Sequence, residues 1–437
     1  MTSQGMEGVR SKPAGTPCFD CLDEAIAADR PLLSAPREVA FWLIAYVFAV
    51  TMMGTTLPTP LYVIYQSQWH FSSGVVTLIY AVYAAGVLTV LVFLGRASDQ
   101  VGRTPVLGTA LALSALSTIV FILASSVGWL FLGRILSGFT AGLMTGTGTA
   151  ALTEMLGRRD PRRATLVATA VNTGGLGLGP LVAGLFAQYA PKPTVLVFEV
   201  YLALLAIAAL AVISVPETVS QRQRLSIRFS GLGLPDVERN AFLAAGVAAF
   251  ASFSLLGIFS ALAPTFLGSV LDQHNHAVAG AVVFMIFAIA VVTQLIAGRF
   301  DFRKVVSFGL ALFLVVLALI VAGLSQASLG LFLAGTAVGG IAVGCVFIGS
   351  LSTANRLAPI ERRGQVISSF FVFCYLGLAI PVIGVGIGTE HFGIFRSVLV
   401  CSIALAVLSV FSLVTLQMGG VETVGGGRVR VRGTPSR

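Results

Sequence analysis

Long stretches without a charged side chain limit what this chain can fold into. Residues 74–94 contain no charge, and residues 104–133 contain none either. A helix needs about 20 apolar residues to cross the roughly 30 Å hydrocarbon core of a bilayer, so each stretch is long enough. Only 10% of the 437 residues are charged and 56% are hydrophobic, whereas soluble domains carry about 25% charged residues. The sequence therefore predicts an all-α membrane protein with many spans.

Twelve such apolar runs follow one another, and we number them spans 1–12. Their predicted limits are 39–64, 74–94, 104–125, 129–153, 164–188, 194–215, 241–266, 278–298, 305–324, 328–354, 364–388 and 394–416. The longest polar interior segment separates the first six spans from the last six. We expect an N-terminal tail (1–38), a six-helix bundle (39–216), a linker (217–240), a second six-helix bundle (241–417) and a C-terminal tail (418–437).

Short motifs recur about 200 residues apart. Arg162 and Arg163 before span 5 are echoed by Arg362 and Arg363 before span 11, and the Gly-Arg pair that begins at residue 95 recurs at residue 298. Parallel repeats related by an axis along the membrane normal are one way in which transporters are built. We expect two pseudo-symmetric bundles.

The basic residues are distributed unevenly among the loops. Nearly all lie in alternate loops or in the tails, and the intervening loops contain only Lys192 and Arg396. By the positive-inside rule, both termini are expected in the cytoplasm and the chain in the cell (plasma or inner) membrane. The net charge of +9 is thereby explained without a nucleic-acid partner. The first 38 residues are polar, so we expect no signal peptide and a retained first span.

The connection between spans 2 and 3 reads GRASDQVGR, from Gly95 to Arg103. This string resembles the signature loop of major facilitator superfamily transporters, Gly, three residues, Asp, two residues, Gly-Arg. The resemblance implies a conformational latch made of Gly95, Asp99, Gly102, Arg103 and Glu154. In it, Asp99 docks on the N-terminus of span 11 when the cytoplasmic side is closed, and Arg103 pairs with Glu154. The alternative is that Asp99 is a solvated loop acid.

A degraded copy of this signature follows span 8. It contains Gly298, Arg299, Asp301 and Arg303, but it has one residue fewer before the acid and no second glycine. We therefore expect the N-terminal copy to matter more.

Two charges lie inside predicted spans, Arg134 in span 4 and Glu199 in span 6. A charge at the centre of a membrane helix costs about 2.5–3.5 kcal/mol on insertion scales and tends to be functional. Arg134 with Gly138 resembles the span 4 motif of the drug/proton antiporter branch, where the arginine works beside a span 1 carboxylate that this chain lacks. Arg134 could instead snorkel to the headgroups. Glu199 could pair with Arg134, titrate as a proton site, or lie at the interface without a role.

Span 5 contains the string NTGGLGLGPLVAG, which includes Gly175, Gly179, Pro180 and Gly184. Glycines at this spacing permit close helix packing, and proline removes a backbone donor. The string also resembles the Gly-Pro motif that marks exporters within the superfamily, although Ala183 replaces one family glycine.

By the same resemblance, spans 1, 4, 7 and 10 line a central cavity. Their candidate lining residues are apolar or hydroxylic, namely Tyr46, Thr55, Thr145, Phe253 and Ser350. Such a cavity suits a hydrophobic or weakly polar compound. We expect a monomeric secondary exporter that works by alternating access in the lipid bilayer and is coupled to protons if Glu199 titrates. The alternatives are an importer or facilitator of a small metabolite and a non-transporting membrane receptor.

No catalytic set of residues is recognisable, so we expect neither an enzyme nor a cofactor. Cys18 and Cys21 form half of a zinc or redox site, and His274 and His276 have no further ligands nearby in the sequence. No metal site is expected.

Overall fold

In the part of the chain that the computed structural model describes, twelve helices are long and apolar enough to cross a membrane, as the apolar runs predict. The structure describes residues 35–156, 160–219, 223, 233–235, 238–269, 273–359 and 363–425. Within those ranges the chain is helical and contains no strand. Most of the predicted tails, the CxxC at Cys18 and most of the predicted linker lie outside them.

Span 1 is interrupted near its end. Its first helix, Arg37–Thr56, is followed by a 3₁₀ turn, Thr59–Leu61, and a short helix, Tyr62–Trp69. Pro58 and Pro60 have no N–H to continue the helix. Spans 2–12 are Ser73–Leu94, Arg103–Ile122, Val127–Leu156, Pro161–Tyr189, Pro193–Ile213, Arg239–Ser269, His276–Ala297, Phe302–Ser325, Leu329–Leu357, Arg363–Phe392 and Ile394–Gly425.

The packing of the helices repeats after six spans. Span 1 packs against spans 4, 5 and 6, and span 4 packs against spans 2 and 3; likewise span 7 packs against spans 10, 11 and 12, and span 10 against spans 8 and 9. The fold is thus two pseudo-symmetric six-helix bundles. They meet where span 5 packs on span 8 and span 2 packs on span 11.

Glycines at equivalent positions bring these helices together. A Cβ at Gly175 would lie 2.6 Å from a carbonyl oxygen of span 1, and a Cβ at Gly377 would clash with a carbonyl of span 7. A Cβ at Gly184 would lie 3.0 Å from a Cα of span 8, and one at Gly386 would clash with a side chain of span 2. Spans 5 and 11 are therefore each held closely between their own bundle and the other one.

The molecule has two ends, which we call the basic end and the far end. The basic end carries Arg103 and Arg303, at the starts of spans 3 and 9, and the far end carries His276 and Glu390, at the start of span 8 and the end of span 11. Under the positive-inside rule the basic end is predicted to face the cytoplasm.

Candidate functional site

A cavity lies between the two bundles, with about 650 Å³ of space not filled by protein atoms, part of it open to solvent. Eight spans contribute to its wall: spans 1, 4, 7 and 10, and also spans 2, 5, 8 and 11. The lining residues are Thr56, Tyr80, Tyr83, Arg134, Asn172, Thr173, Leu176, Phe253, Leu256, Phe287, Gln294, Val343, Phe347, Tyr375 and Leu378.

Of the five cavity residues predicted from the sequence, the structure places only Phe253 in this lining. The Tyr46 hydroxyl donates to a carbonyl of span 6 at 3.2 Å. The hydroxyls of Thr55 and Thr145 donate within their own helices at 2.7 and 2.8 Å. The Ser350 hydroxyl is buried without a hydrogen-bond partner. These four residues are not in the lining of this cavity, and their contact with a transported compound stays a prediction.

Arg134 is the charged residue of the described lining. Only 1% of it is exposed, so it does not snorkel to the headgroups. Its Nη1 donates to the carbonyl oxygen of Thr55 at 2.5 Å. Thr55 lies in the last turn of a helix, where carbonyls lack helical partners. The guanidinium lies 4.5 Å from the ring centroid of Tyr83 and 5.1 Å from that of Tyr80, and its Nε has no hydrogen-bond partner.

Glu199 does not join this cluster. It is exposed on the surface of span 6, whereas its neighbours Val197 and Phe198 are 1% exposed and face the interior. The predicted ion pair between Arg134 and Glu199 was therefore wrong, because the two side chains lie on opposite sides of the bundle wall. Glu199 does not line the cavity either, and the interpretation as an interfacial residue fits its position.

Aromatic rings continue from Arg134 across the boundary between the bundles. The centroids of Tyr83 and Tyr375 are 6.5 Å apart, those of Tyr375 and Phe253 are 6.1 Å apart, and those of Phe253 and Phe347 are 5.5 Å apart. Ring pairs at these separations attract each other in edge-to-face or offset geometry. The sequence analysis missed three lining tyrosines, Tyr80, Tyr83 and Tyr375. For the first two a signal exists, because their spacing places both on one face of span 2.

Uncharged polar groups complete the wall. The Thr173 hydroxyl of span 5 lies 3.4 Å from Oε1 of Gln294, on span 8, and donates to it. Asn172 lines the cavity beside Thr173. The described wall is thus aromatic and weakly polar, with a single fixed charge.

At the basic end, Arg103 connects several elements. Its Nη2 and Nε donate to the two carboxylate oxygens of Glu154 at 2.7 and 3.2 Å, a bidentate arrangement. Its Nη1 lies 2.6 Å from Oδ1 of Asp99 and donates to the Ser98 hydroxyl at 2.6 Å. The structure therefore brings together Asp99, Arg103 and Glu154, which the sequence analysis grouped.

The glycines of the signature allow this geometry. Gly102 has φ +116°, a backbone region that only glycine adopts readily, and it lies against the carboxylate of Glu217. Gly95 ends span 2, and a Cβ there would lie 3.5 Å from the hydroxyl of Ser368 on span 11. The Asp99 side chain is 57% exposed. Its predicted contact with the N-terminus of span 11 stays a prediction, because side chains at 363–364 lie outside the described residues.

Glu217 is a residue of this cluster that the sequence analysis did not single out. Its Oε1 accepts the backbone N–H of Arg103 at 2.8 Å, and its Oε2 accepts that of Thr104 at 3.2 Å. The carboxylate thus caps the N-terminus of span 3, where a negative charge is favourable. Nothing near Glu217 in the sequence indicates this contact, because Arg103 lies 114 residues away.

The second copy of the signature forms a different structure. Oδ1 of Asp301 accepts the backbone N–H groups of Arg303 and Lys304 at 3.0 and 3.2 Å, so this acid is the N-cap of span 9. Gly298 and Arg299 lie in the turn before it.

The span 5 string is a packing motif in the structure. Gly175 and Gly179 lie against span 1, and Gly184 lies against span 8. Pro180, inside the helix, cannot donate to the carbonyl of Leu176. The Thr56 hydroxyl of span 1 donates to that carbonyl instead, at 2.7 Å.

The halves also meet at the far end. Oε1 of Glu390, on span 11, accepts the backbone N–H of Gly74 at the start of span 2, at 2.7 Å. Oε1 of Gln188, on span 5, accepts the backbone N–H of His276 at the start of span 8, at 2.9 Å. Both contacts join one bundle to the other.

A family model described as Major Facilitator Superfamily matches residues 44–301, which is more than half of the chain. The chain belongs to the major facilitator superfamily. The fold agrees with a solved structure, the crystal structure of a bacterial homolog to the human lysosomal transporter Spinster in an inward-facing and unoccupied conformation. The two structures superpose with a TM-score of 0.71 at 14% sequence identity. The superposition covers 87% of this chain and 97% of the homolog.

Among curated proteins, this superfamily member is similar to Multidrug resistance protein 2 of Bacillus subtilis (strain 168). The two are 22% identical over 195 residues, 44% of this chain and 48% of that protein. The match thus spans about half the length of the curated relative. As a major facilitator with twelve candidate spans among its described residues, the chain is a multi-pass membrane protein of a transporter family.

Proposed function

We propose that the chain is a secondary transporter that exports small, largely apolar compounds by alternating access. The observation that carries the proposal is the cavity between the bundles, whose wall is drawn from both halves. Rocking of one half against the other around such a site exposes it to each side in turn. This motion has to occur at two interfaces between the halves, where span 5 packs on span 8 and span 2 packs on span 11.

The direction of transport is proposed on two grounds. The span 5 string, with Gly179 and Pro180, resembles the motif of exporters, and the curated relative is named a multidrug resistance protein. With the basic end in the cytoplasm, export means release at the far end. We propose no proton site, because Glu199 is exposed outside the cavity and the described lining contains no carboxylate.

The test compares inside-out and right-side-out membrane vesicles from cells that express the chain. Energised vesicles are given a panel of hydrophobic dyes and antibiotics, and accumulation is followed by fluorescence or radiolabel. Export predicts accumulation only in inside-out vesicles. Accumulation only in right-side-out vesicles would make the chain an importer, and no difference from vesicles lacking the chain would refute transport of these compounds.

A locked variant supplies the control. In a background without the five native cysteines, Gln188→Cys and His276→Cys are combined, because the two positions are in hydrogen-bond contact across the far end. A bifunctional thiol reagent should stop transport in the double variant. Each single variant should stay active after the same treatment.

A further inference from the structure

Arg134 carries a buried charge that the described protein only partly compensates. A guanidinium has five N–H donors, and one donor atom, Nη1, bonds to a carbonyl, that of Thr55. Tyr80 and Tyr83 offer their ring faces, an attraction of moderate strength, and Nε has no hydrogen-bond partner. Buried charges in proteins are normally paired. Among the cavity-lining residues that the structure describes, no carboxylate is present to pair with this one.

The surroundings of Arg134 define what could pair with it. Nε belongs to the planar set of N–H donors of the guanidinium, and two neighbouring donors of this set match the two oxygens of a carboxylate. The rings of Tyr83, Tyr375 and Phe253 follow one another away from the charge, and they offer apolar contact to the body of a bound molecule. A single cation suits one negative charge better than the two or more of a phosphate monoester.

The geometry points to Arg134 as the residue that binds the acidic group of the transported compound. The cavity is then a site for aromatic or aliphatic organic monoanions such as carboxylates. This inference rests on the proposed transport function and narrows its substrate class. The acid group pairs with the guanidinium in span 4, and the apolar body lies along the rings that cross to the second bundle. Binding then involves both halves of the protein.

The first test needs no mutation. Purified protein in lipid nanodiscs is titrated at neutral pH with benzoate, 1-naphthoate and 4-butylbenzoate, with the three matching amides, and with the three matching benzylic amines. Calorimetry gives the affinity, and the midpoint of thermal unfolding gives an independent measure. Because hydrogen bonds to a charged group are stronger than neutral ones, the acids should bind about tenfold to a hundredfold more tightly than their amides. The amines should bind most weakly.

Variants then assign the preference to one side chain. Arg134→Gln should remove the preference for acid over amide, whereas Arg134→Lys should keep part of it, since it retains the charge but not the fork. Gln294→Ala, a change of an uncharged lining residue, is the matched control and should leave the ratio of acid to amide affinity unchanged. A purely structural role of Arg134 would lower all affinities together without changing that ratio. If Arg134→Gln does not fold, the inference is decided by the ratio of acid to amide affinity, measured for the wild-type protein and for Arg134→Lys.

The inference is overturned if none of the nine probes binds, or if acids bind no better than amides. Flux in proteoliposomes separates this result from a failure of the proposed function. Transport of the amides or amines without any preference for acids would leave the transporter proposal standing and refute the anion site. Tight, Arg134-dependent binding of acids without flux of any probe would leave the anion site standing and refute the transporter proposal.

Discussion

Gly184 offers the sharpest test of how the two halves meet. In the substitution Gly184→Ala, the added Cβ would lie 2.6 Å from the carbonyl oxygen of His276 and 3.0 Å from Cα of Gly280. The first distance is about 0.8 Å shorter than the 3.4 Å at which ordinary contact begins. Both contacts are with backbone of span 8, which cannot rotate away as a side chain can. We therefore expect spans 5 and 8 to be forced apart at the far end.

The size of the effect follows from the cost of overpacking, about 1–3 kcal/mol. The gain of about 1 kcal/mol in helix propensity from glycine to alanine applies whether the far end is closed or open, so it cancels. A bias of this size shifts the equilibrium between the two conformations by about 5-fold to 150-fold. Gly174→Ala is the matched control in the same helix, because its Cβ would meet only Cγ2 of Val291, at 3.9 Å.

The assay is alkylation of a cysteine placed in the cavity, Leu256→Cys, in a background without native cysteines. A maleimide that does not cross membranes is applied from the far end, and its rate reports the fraction of open molecules. Gly184→Ala should be labelled faster than the unsubstituted protein, and Gly174→Ala at the same rate as it. Equal rates for the two alanine variants, with both proteins monodisperse, would refute the argument that this contact closes the far end.

Two further predictions concern stability, measured as the midpoint of thermal unfolding in detergent. Gly102→Ala should destabilise the protein by about 1–3 kcal/mol, because its φ of +116° is strained for alanine and the Cβ would meet Glu217. Gly108→Ala is the control and should be neutral or stabilising, because a Cβ at Gly108 would have no neighbouring atom within 4 Å. Thr56→Val should cost about 1 kcal/mol, because the carbonyl of Leu176 loses the hydroxyl that bonds to it, whereas Thr56→Ser should retain most of the stability. A Gly102→Ala variant as stable as Gly108→Ala, or a Thr56→Ser variant as unstable as Thr56→Val, would contradict these assignments.

The spans were predictable because a bilayer imposes a length and forbids charge, and both conditions can be checked on the sequence alone. The grouping of Asp99, Arg103 and Glu154 was predictable as well, but only through the resemblance of the loop to the family signature. The role of Glu217 was not. It lies 114 residues from Arg103 in the sequence, and nothing local indicates that the end of span 6 returns to the start of span 3.

Of the predicted cavity residues only Phe253 lies in this lining, and the reason is physical. Membrane helices are apolar on all sides, so the sequence period that separates a core face from an outer face in soluble helices is weak. Arg134 and Glu199 illustrate this: both lie inside a span, yet one is buried in the cavity wall and the other is exposed. The rotation of each helix is set by contacts with neighbours far away in the sequence, and these become visible only in the structure.

The acids at the two ends have different partners, because Asp99 pairs within its own half and Glu390 joins the two halves. At the basic end Asp99 follows span 2 and pairs within its own half with Arg103, 2.6 Å away. At the far end Glu390, on span 11, accepts the N–H of Gly74 in the first turn of span 2, where the helix dipole favours an anion. The approximate twofold axis relates span 2 to span 8 and span 11 to span 5, so the counterpart of this contact is the one in which Oε1 of Gln188, at the end of span 5, accepts the N–H of His276 at the start of span 8. Opening the far end must therefore break both contacts, the one between Glu390 and Gly74 and the one between Gln188 and His276.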